Sequence, residues 1–317
     1  MKKKPKITIL LATYNRAHLI GETLESISAQ TYMHWECIIV DDFSTDSTFD
    51  VVKSYINKDN RIHYYLKTEK YKRGLSGTRN YGLDLARERR SKYIQFFDDD
   101  DLMHPKKLEL QIGPFFSSKS LDLTICQYRK FDSLEVVNFN LNNCDDGLCK
   151  IETDDLLKSF FLNLINLNSP GPLWKASTIM KYRFNEDLFY AEEREFYLRI
   201  FLNEKISYKP IKFVLFWYRK HSLAITSGLY KENTNEIKRK SEDLFKEVFL
   251  SEVLKKNKAE FFILKSYAVR AFKDNKIPHA KKIAFYILNK RLYFNHKYLA
   301  LLIYIKLYLK KVNQIEI

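Results

Sequence analysis

The sequence predicts an α/β fold: a mainly parallel sheet flanked by helices, followed by a mostly helical C-terminal region. Three observations carry that prediction. Between Ile7 and Phe97, short apolar runs alternate with helical-period stretches of roughly ten to fifteen residues, the pattern of βαβ units. Polar or acidic segments follow the ends of those runs. From Asn233 onward nearly everything is compatible with helices, and Pro278 is the only proline there.

Ile7 to Leu11 is apolar and β-branched, bounded by Pro5 and by Thr13-Tyr14-Asn15, and reads as a buried strand. His18 to Gln30 places Leu19, Ile20, Leu24 and Ile27 at helical spacing. Trp35 to Val40 is a second strand running into Asp41-Asp42. Ser44 to Asn57 reads as a helix with Ser44 or Asp46 available as N-cap. Arg61 to Leu66 alternates like a strand, Ser76 to Arg90 returns to helical spacing, and Lys92 to Phe97 is a fourth strand that meets Asp98-Asp99-Asp100-Asp101. From about Leu121 the pattern loosens. Asn138 to Asp146 reads as a polar excursion, and Pro170-Gly171-Pro172 punctuates before another helix. Glu192 to Asn203 is helical, and Ile211 to Tyr218 is a strand ending at Arg219-Lys220-His221. In a parallel sheet, ligands bind beyond the carboxyl ends of the strands. Thr13-Tyr14-Asn15, Asp41-Asp42 and Asp98 to Asp101 are therefore expected to converge on one crevice.

The 317 residues are 45% hydrophobic, enough for real cores, and 15% aromatic with 29% charged, which excludes collagen-like and broadly disordered chains. Cys37, Cys126, Cys144 and Cys149 form no CxxC pair, so a disulfide scaffold is not expected and a reducing, cytoplasmic setting is. Met1 to Lys6 followed by Ile7 to Ala12 imitates a signal peptide, but the apolar run is too short for one. The run Tyr298 to Leu309, interrupted by Lys306, would span about 18 Å as a helix, against the roughly 30 Å of a bilayer core. No membrane-crossing segment is expected.

The net charge of +15 is unevenly spread: from residue 221 onward there are 20 Lys/Arg against 9 Asp/Glu, and before it 34 against 30. An anionic partner should meet the C-terminal third first. Lys238-Arg239-Lys240, Lys255-Lys256, Lys281-Lys282 and Lys310-Lys311, with the aromatic and aliphatic run Tyr298 to Leu309, would suit an anionic membrane surface. The bland reading is a helical domain with solvated lysines, or a contact in a homo-oligomer.

Four consecutive aspartates at a strand end repel one another, and the fold must offset that cost. A hard divalent cation such as Mg²⁺ or Mn²⁺ would do so, sharing its remaining positions with phosphate oxygens. An acidic turn at the start of the helix near Pro105 is the other reading. Asp41 or Asp42 could accept hydrogen bonds from a base or ribose, or cap a helix. Arg79, behind Gly74 and Gly77, could meet phosphate or lie on the surface. Tyr14 could stack on a base or pack against the next helix.

In combination these segments are more specific. Ile7 to Arg16, the run Val40-Asp41-Asp42-Phe43-Ser44-Thr45-Asp46-Ser47-Thr48, Gly74-Leu75-Ser76-Gly77-Thr78-Arg79-Asn80-Tyr81-Gly82-Leu83 and Phe97 to Pro105 resemble, in order and spacing, the motifs of family 2 glycosyltransferases of the GT-A fold. The resemblance covers residues 5 to about 222. It implies a GT-A domain over 1–222, with a nucleotide-binding half (1–120) and an acceptor-binding half (121–222), and leaves 223–317 as a basic helical region. It implies that Thr13, Tyr14, Asn15 and Asp42 contact the nucleotide, that Arg79 approaches the donor sugar or diphosphate and Asp99 sits by the donor ribose or sugar, and that Asp100 binds the metal with Asp98 beside it. Ala191 to Arg199 is similar to the family's helix carrying an Glu-Asp pair. The Asp usually serves as base, and its position here is Glu193, beside Glu192: a departure that moves the carboxylate one methylene farther. Tyr218-Arg219-Lys220-His221 is similar to a later segment in which Arg219 would contact the donor and His221 the metal. The activity implied is an inverting, metal-dependent hexosyl or N-acetylhexosaminyl transfer from a nucleoside-diphosphate sugar, UDP-linked on the family's precedent. The acceptor implied is a glycan or lipid-linked hydroxyl in bacterial surface polysaccharide (capsule or lipooligosaccharide) synthesis, at the inner face of the cytoplasmic membrane.

Two rival readings remain open. A sugar-nucleotide nucleotidyltransferase would also use strand-end aspartates and a metal, but needs a Gly-rich basic loop that Thr13-Tyr14-Asn15-Arg16 does not supply. A non-catalytic nucleic-acid-binding protein would use the basic tail, yet the aspartate run has the wrong sign for that contact. No nucleic acid is expected.

Overall fold

The computed structural model describes residues 4–132, 135–141, 150–220, 234–256, 259–273, 277–290 and 294–312. The chain divides into two compact units, Met1–Phe245 and Lys246–Ile317.

The first unit is built on an eight-stranded mixed sheet. Four parallel strands, β1 (Ile7–Thr13), β2 (Trp35–Asp41), β3 (Ile62–Leu66) and β4 (Tyr93–Asp98), stand in the order β3-β2-β1-β4. Ile7 to Leu11 and the whole of β2 are buried, the signature of strands covered on both faces. The crossover helices α1 (Ile20–Ser28), α2 (Thr48–Ile56) and α3 (Leu75–Glu88) supply that cover. Leu24, Ile27 and Val52 pack with Ile7, Ile9, Leu11, Ile39 and Phe97 in one core. Helix α2 starts at Thr48 rather than at the predicted Ser44, because residues 44 to 46 are spent on a turn. Asp41 Oδ1 accepts from Ser44 N at 2.7 Å, and Asn15 Oδ1 accepts from Thr45 N at 2.7 Å. Neither predicted residue is the N-cap, which is Ser47 without a side-chain cap bond; Asp46, one residue earlier, accepts from Thr48 N at 3.0 Å.

Register places the polar strand ends side by side. Thr13 lies opposite Asp41, and Ala12 lies opposite Asp98. The predicted crevice at the carboxyl edge is therefore formed.

Beyond β4 the direction reverses. β5 (Leu102–Met103), β6 (Leu123–Asp132), β7 (Pro172–Lys175) and β8 (Tyr208–Lys220) extend the sheet as β4-β7-β6-β8-β5, with β7 antiparallel to both β4 and β6. The segment after Leu121, expected to be irregular, holds the ten-residue β6, and the expected helix after Pro172 is reduced to the four-residue α6 (Ala176–Ile179) behind β7. Between these elements lie α4 (Lys107–Ser117) and α5 (Leu156–Phe161). Helix α7 (Glu192–Asn203) is locked to the sheet by rings: Phe196 stacks on Phe184 with centroids 3.9 Å apart, and Tyr197 lies 5.5 Å from Trp174.

Helix α8 (Thr234–Lys255) leads into the second unit, which contains α9 (Phe261–Lys273), α10 (Ile277–Asn289) and α11 (Phe294–Val312). Ile263, Leu264, Ala268, Ile283, Ala284, Ile287, Leu299, Ala300 and Ile303 are buried in it. At 19 residues, α11 exceeds the apolar run that predicted it, yet no helix among the described residues is long and apolar enough to cross a membrane. Cys37 and Cys126 are buried free thiols; Cys144 and Cys149 lie outside the described residues.

Two helical glycines separate packing from propensity. A Cβ on Gly77 in α3 would stand 2.1 Å from the Lys72 carbonyl oxygen, whereas one on Gly113 in α4 meets nothing within 4 Å. Gly77→Ala is expected to destabilise by about 1–3 kcal/mol through overpacking; Gly113→Ala should cost less, its gain in helix propensity being set against the Cβ clash that Pro114 imposes on the residue before it. Urea unfolding of the two variants beside the wild type checks that order.

Candidate active site

The crevice is assembled from strand ends and from turns held in uncommon backbone conformations. Asn15 (φ 52°) follows β1, Phe43 (φ 63°) follows β2, and Ala191 (φ 61°) is the residue from which α7 starts. All three occupy the left-handed region that non-glycine residues seldom adopt. Gly74, with φ 107°, opens α3.

At the end of β2 the two aspartates have different tasks. Asp41 is buried, and besides Ser44 N its carboxylate accepts from Tyr64 Oη at 2.8 Å. Asp42 accepts from Gly74 N at 2.6 Å and pairs with the buried ammonium of Lys67, which also donates to the Lys72 carbonyl at 2.7 Å. Asp42 thus pins the 67–74 turn against the crevice. Lys67, immediately after β3, was not singled out from sequence; a lysine ending an apolar strand is the only signal that could have marked it. Asn15 likewise spends its side-chain oxygen on the Thr45 amide. Thr13 is buried beside Asp42, whose amide donates to the Thr13 carbonyl at 2.9 Å, while Tyr14 is 49% exposed, leaving a ring face open to a ligand.

The aspartate run is wrapped by arginines. Asp98 accepts from Arg79 Nη2 at 2.8 Å, and Arg16 Nε lies 3.4 Å from Asp99. Arg219 is buried: its amide donates to Asp101 Oδ1 at 2.9 Å, its Nε to the Asp100 carbonyl at 2.8 Å, and its Nη2 to Glu22 at 2.6 Å. Arg219, expected from the resemblance to contact the donor, braces the turn through these bonds. Thr23 completes the brace by donating to the carbonyls of Asp99 and Asp101. Burial pushes the carboxyls of Asp98, Asp99 and Asp101 upward, reinforced by the charge of Asp100; Asp99 reaches about 7 and Asp101 rises well above its ordinary value. Asp101 Oδ2 is buried without a hydrogen-bond partner.

Such crowding of hard oxygen donors suits a divalent cation. Among the described residues no three His, Cys, Asp or Glu side chains converge into a cage. His221 lies outside the described residues.

Arg79 joins the two halves. Buried in α3, it faces Asp98 and also approaches Glu192 at 3.5 Å and Glu193 at 4.0 Å, with its guanidinium over the Phe184 ring. Three sequence-predicted carboxylates from two elements therefore meet around the one guanidinium that α3 supplies, and it is committed to them. Glu193 accepts from the amide and hydroxyl of Ser169, another residue not singled out from sequence. Burial, partly opposed by Arg79, raises the carboxyl of Glu193 to about 7 and lifts Glu192 as well.

Residues 8–143 match the model of "Glycosyl transferase family 2". Over that segment the chain is similar to family 2 glycosyltransferases. TuaG of Bacillus subtilis, a glycosyltransferase named for teichuronic acid biosynthesis, is 38% identical over 109 residues, 34% of this chain and 41% of TuaG. WfgD of Escherichia coli, named as a UDP-Glc:α-D-GlcNAc-diphosphoundecaprenol β-1,3-glucosyltransferase, is 28% identical across 71% of this chain and 81% of its own. Among solved structures, Staphylococcus aureus TarS bound to UDP-GlcNAc aligns with a TM-score of 0.61 at 19% identity, over 89% of this chain and 80% of that one. A Pyrobaculum calidifontis mannosyltransferase with GDP-Man and Mn²⁺ aligns at 0.53 and 16% identity, over 82% and 67%. These likenesses show the fold, GT-A.

Within that domain the Lys67–Asp42 pair is testable by itself. Lys67→Met leaves a buried carboxylate without its cation and is expected to cost about 3–5 kcal/mol. Adding Asp42→Asn to the same chain should return a large part of that loss, because the uncompensated charge is gone. Chemical denaturation of the two single variants and the double variant measures the coupling.

Proposed function

We propose that residues 1–222 form a glycosyltransferase that moves a sugar from a nucleoside-diphosphate donor, UDP-linked, to a hydroxyl of a glycan or lipid-linked acceptor, with inversion at the anomeric carbon. The observation that carries this reading is the meeting of Asp98 and the Glu192–Glu193 pair around Arg79 at the carboxyl edge of the sheet. It puts a cation-suited carboxylate turn within one guanidinium of a candidate base. The relatives named for undecaprenol-linked substrates and the neighbours bound to UDP-GlcNAc or to GDP-Man with Mn²⁺ support the choice of donor, cation and acceptor class. On the same grounds the pathway proposed is bacterial surface polysaccharide synthesis, at the inner face of the cytoplasmic membrane, with a hexosyl or N-acetylhexosaminyl group transferred.

In this reading Tyr14, flanked by Thr13, offers its exposed ring to the base, and Asp42 keeps the 67–74 turn closed around the nucleoside. Asp99, held by Arg16, faces the donor ribose or sugar. Asp100 and Asp98 would hold Mn²⁺ or Mg²⁺, whose positive charge would stabilise the diphosphate leaving group. Arg79 balances Asp98 and Glu192 so that both carboxylates can stand in one desolvated wall. Glu193, oriented by Ser169, takes the proton from the acceptor hydroxyl as it attacks. A carboxyl raised to about 7 is half ionised near neutrality, which suits a base that must accept a proton and then release it. The single displacement needs no serine or cysteine nucleophile.

Calorimetric titration of UDP with Mn²⁺, repeated in EDTA and with Asp100→Ala, tests the donor site: metal-dependent binding that the substitution removes is the expected result, and no binding of any nucleoside diphosphate refutes the enzyme reading. For the base, the pH dependence has a defined sign. Glu193 acts only when ionised, so kcat/KM should fall as pH drops through about 7. Glu193→Gln should lose roughly 10²–10⁴-fold in kcat and abolish that acidic limb while leaving UDP affinity intact.

A further inference from the structure

The second unit carries an apolar surface that its own packing does not use. Helix α11 has two apolar faces. One is buried in the unit through Leu299, Ala300 and Ile303. The other consists of Tyr298, Leu301, Leu302 and Ile305, at i, i+3, i+4 and i+7, and these are 55%, 55%, 39% and 45% exposed. At a hundred degrees per residue the two stripes lie on nearly opposite sides of the helix. A helix within a water-facing domain ordinarily shows polar residues on its outer side, so a continuous outward stripe marks a contact surface. On α10 the exposed side likewise alternates lysine with apolar residues: Lys281 and Lys282 are followed by Phe285, 67% exposed, and Leu288, 58% exposed.

The charge of this unit selects the occupant. Residues 246–317 hold 16 Lys/Arg against 5 Asp/Glu, a net of +11. Lys297 and Lys306 stand exposed on the helix that bears the stripe. A second copy of the chain would bring the same excess of positive charge face to face with this one. A nucleic acid would match the charge and leave the aliphatic stripe in water. A bilayer carrying anionic lipid satisfies both, taking the aliphatic and tyrosine side chains at the acyl boundary and the ammonium groups among the headgroup phosphates.

We infer that the outward face of α11, Tyr298-Leu301-Leu302-Ile305, together with the lysines around it and on α10, is a docking surface for an anionic phospholipid bilayer, holding the protein on the membrane without crossing it. It deepens the membrane setting of the proposed glycosyl transfer by naming the residues that would make the contact, and it stands on the second unit alone, so it survives or fails independently of donor binding.

The test is flotation of the full chain with vesicles of phosphatidylglycerol and phosphatidylethanolamine, beside vesicles of phosphatidylcholine alone. The wild type should float with the anionic vesicles and not with the neutral ones, and the bound fraction should fall as salt rises from about 0.1 M to 1 M, where the screening length shrinks from about 10 Å to 3 Å. Leu301→Glu/Ile305→Glu should weaken partitioning at least ~10-fold with an unchanged melting curve, since both side chains face solvent. Lys281→Glu/Lys282→Glu, also on exposed positions, is the second variant and should weaken binding to anionic vesicles alone. Equal partitioning of Leu301→Glu/Ile305→Glu and wild type, equal binding to neutral vesicles, or no flotation of the wild type would each overturn the inference. So would a self-association, seen by sedimentation velocity, that the apolar pair of substitutions removes while no vesicle binds.

Discussion

The crevice depends on keeping negative charges close together without letting them repel the turn apart. Asp98 to Asp101 arrive consecutively from β4, Asp41 and Asp42 from β2, and Glu192 and Glu193 from the first turn of α7. Their counter-charges come from elsewhere: Arg79 from α3, Arg219 from β8, Arg16 from the loop after β1 and Lys67 from the end of β3. Each cation ties a carboxylate of one element to a different part of the chain. The electrostatic compensation and the tertiary assembly are therefore the same set of contacts.

That arrangement explains which residues could be read from sequence and which could not. The four parallel strands and their helices were legible because burial on both faces gives uninterrupted apolar runs, and the acidic ends of those runs located the crevice before any contact was known. β6 and β7 were not legible. The outer half of β6 is largely exposed, so its apolar character stops midway, and β7 is four residues pressed against Pro170-Gly171-Pro172. Partnership was the other hidden layer. Arg79 could be singled out as a cation near the site, but its commitment to Asp98, Glu192 and Glu193 is a property of three elements at once. The same holds for Arg219, which braces the aspartate turn through its backbone amide and guanidinium, and for Lys67 and Ser169, whose relevance exists only through Asp42 and Glu193. Periodicity reports which face of an element is covered; it carries no information on which charge covers it.

The second unit shows a related ambiguity. An apolar run of α11 predicts a helix equally well whether its apolar residues face inward, outward or both. Only their distribution around the axis, with Leu299, Ala300 and Ile303 on one side and Tyr298, Leu301, Leu302 and Ile305 on the other, separates packing from presentation.

Ala191 bears on how this site is kept in shape. It starts α7 from a left-handed conformation, immediately before the two glutamates, where glycine would sit without steric penalty. Glycine would also free the segment to sample many other conformations, loosening the aim of everything that follows. Alanine narrows that sampling while carrying local strain, so the start of α7 is spring-loaded: folding energy is diverted into angular precision at the first turn. Chains that gained thermal robustness by relaxing this one residue would be expected to lose sharpness in where their carboxylates point.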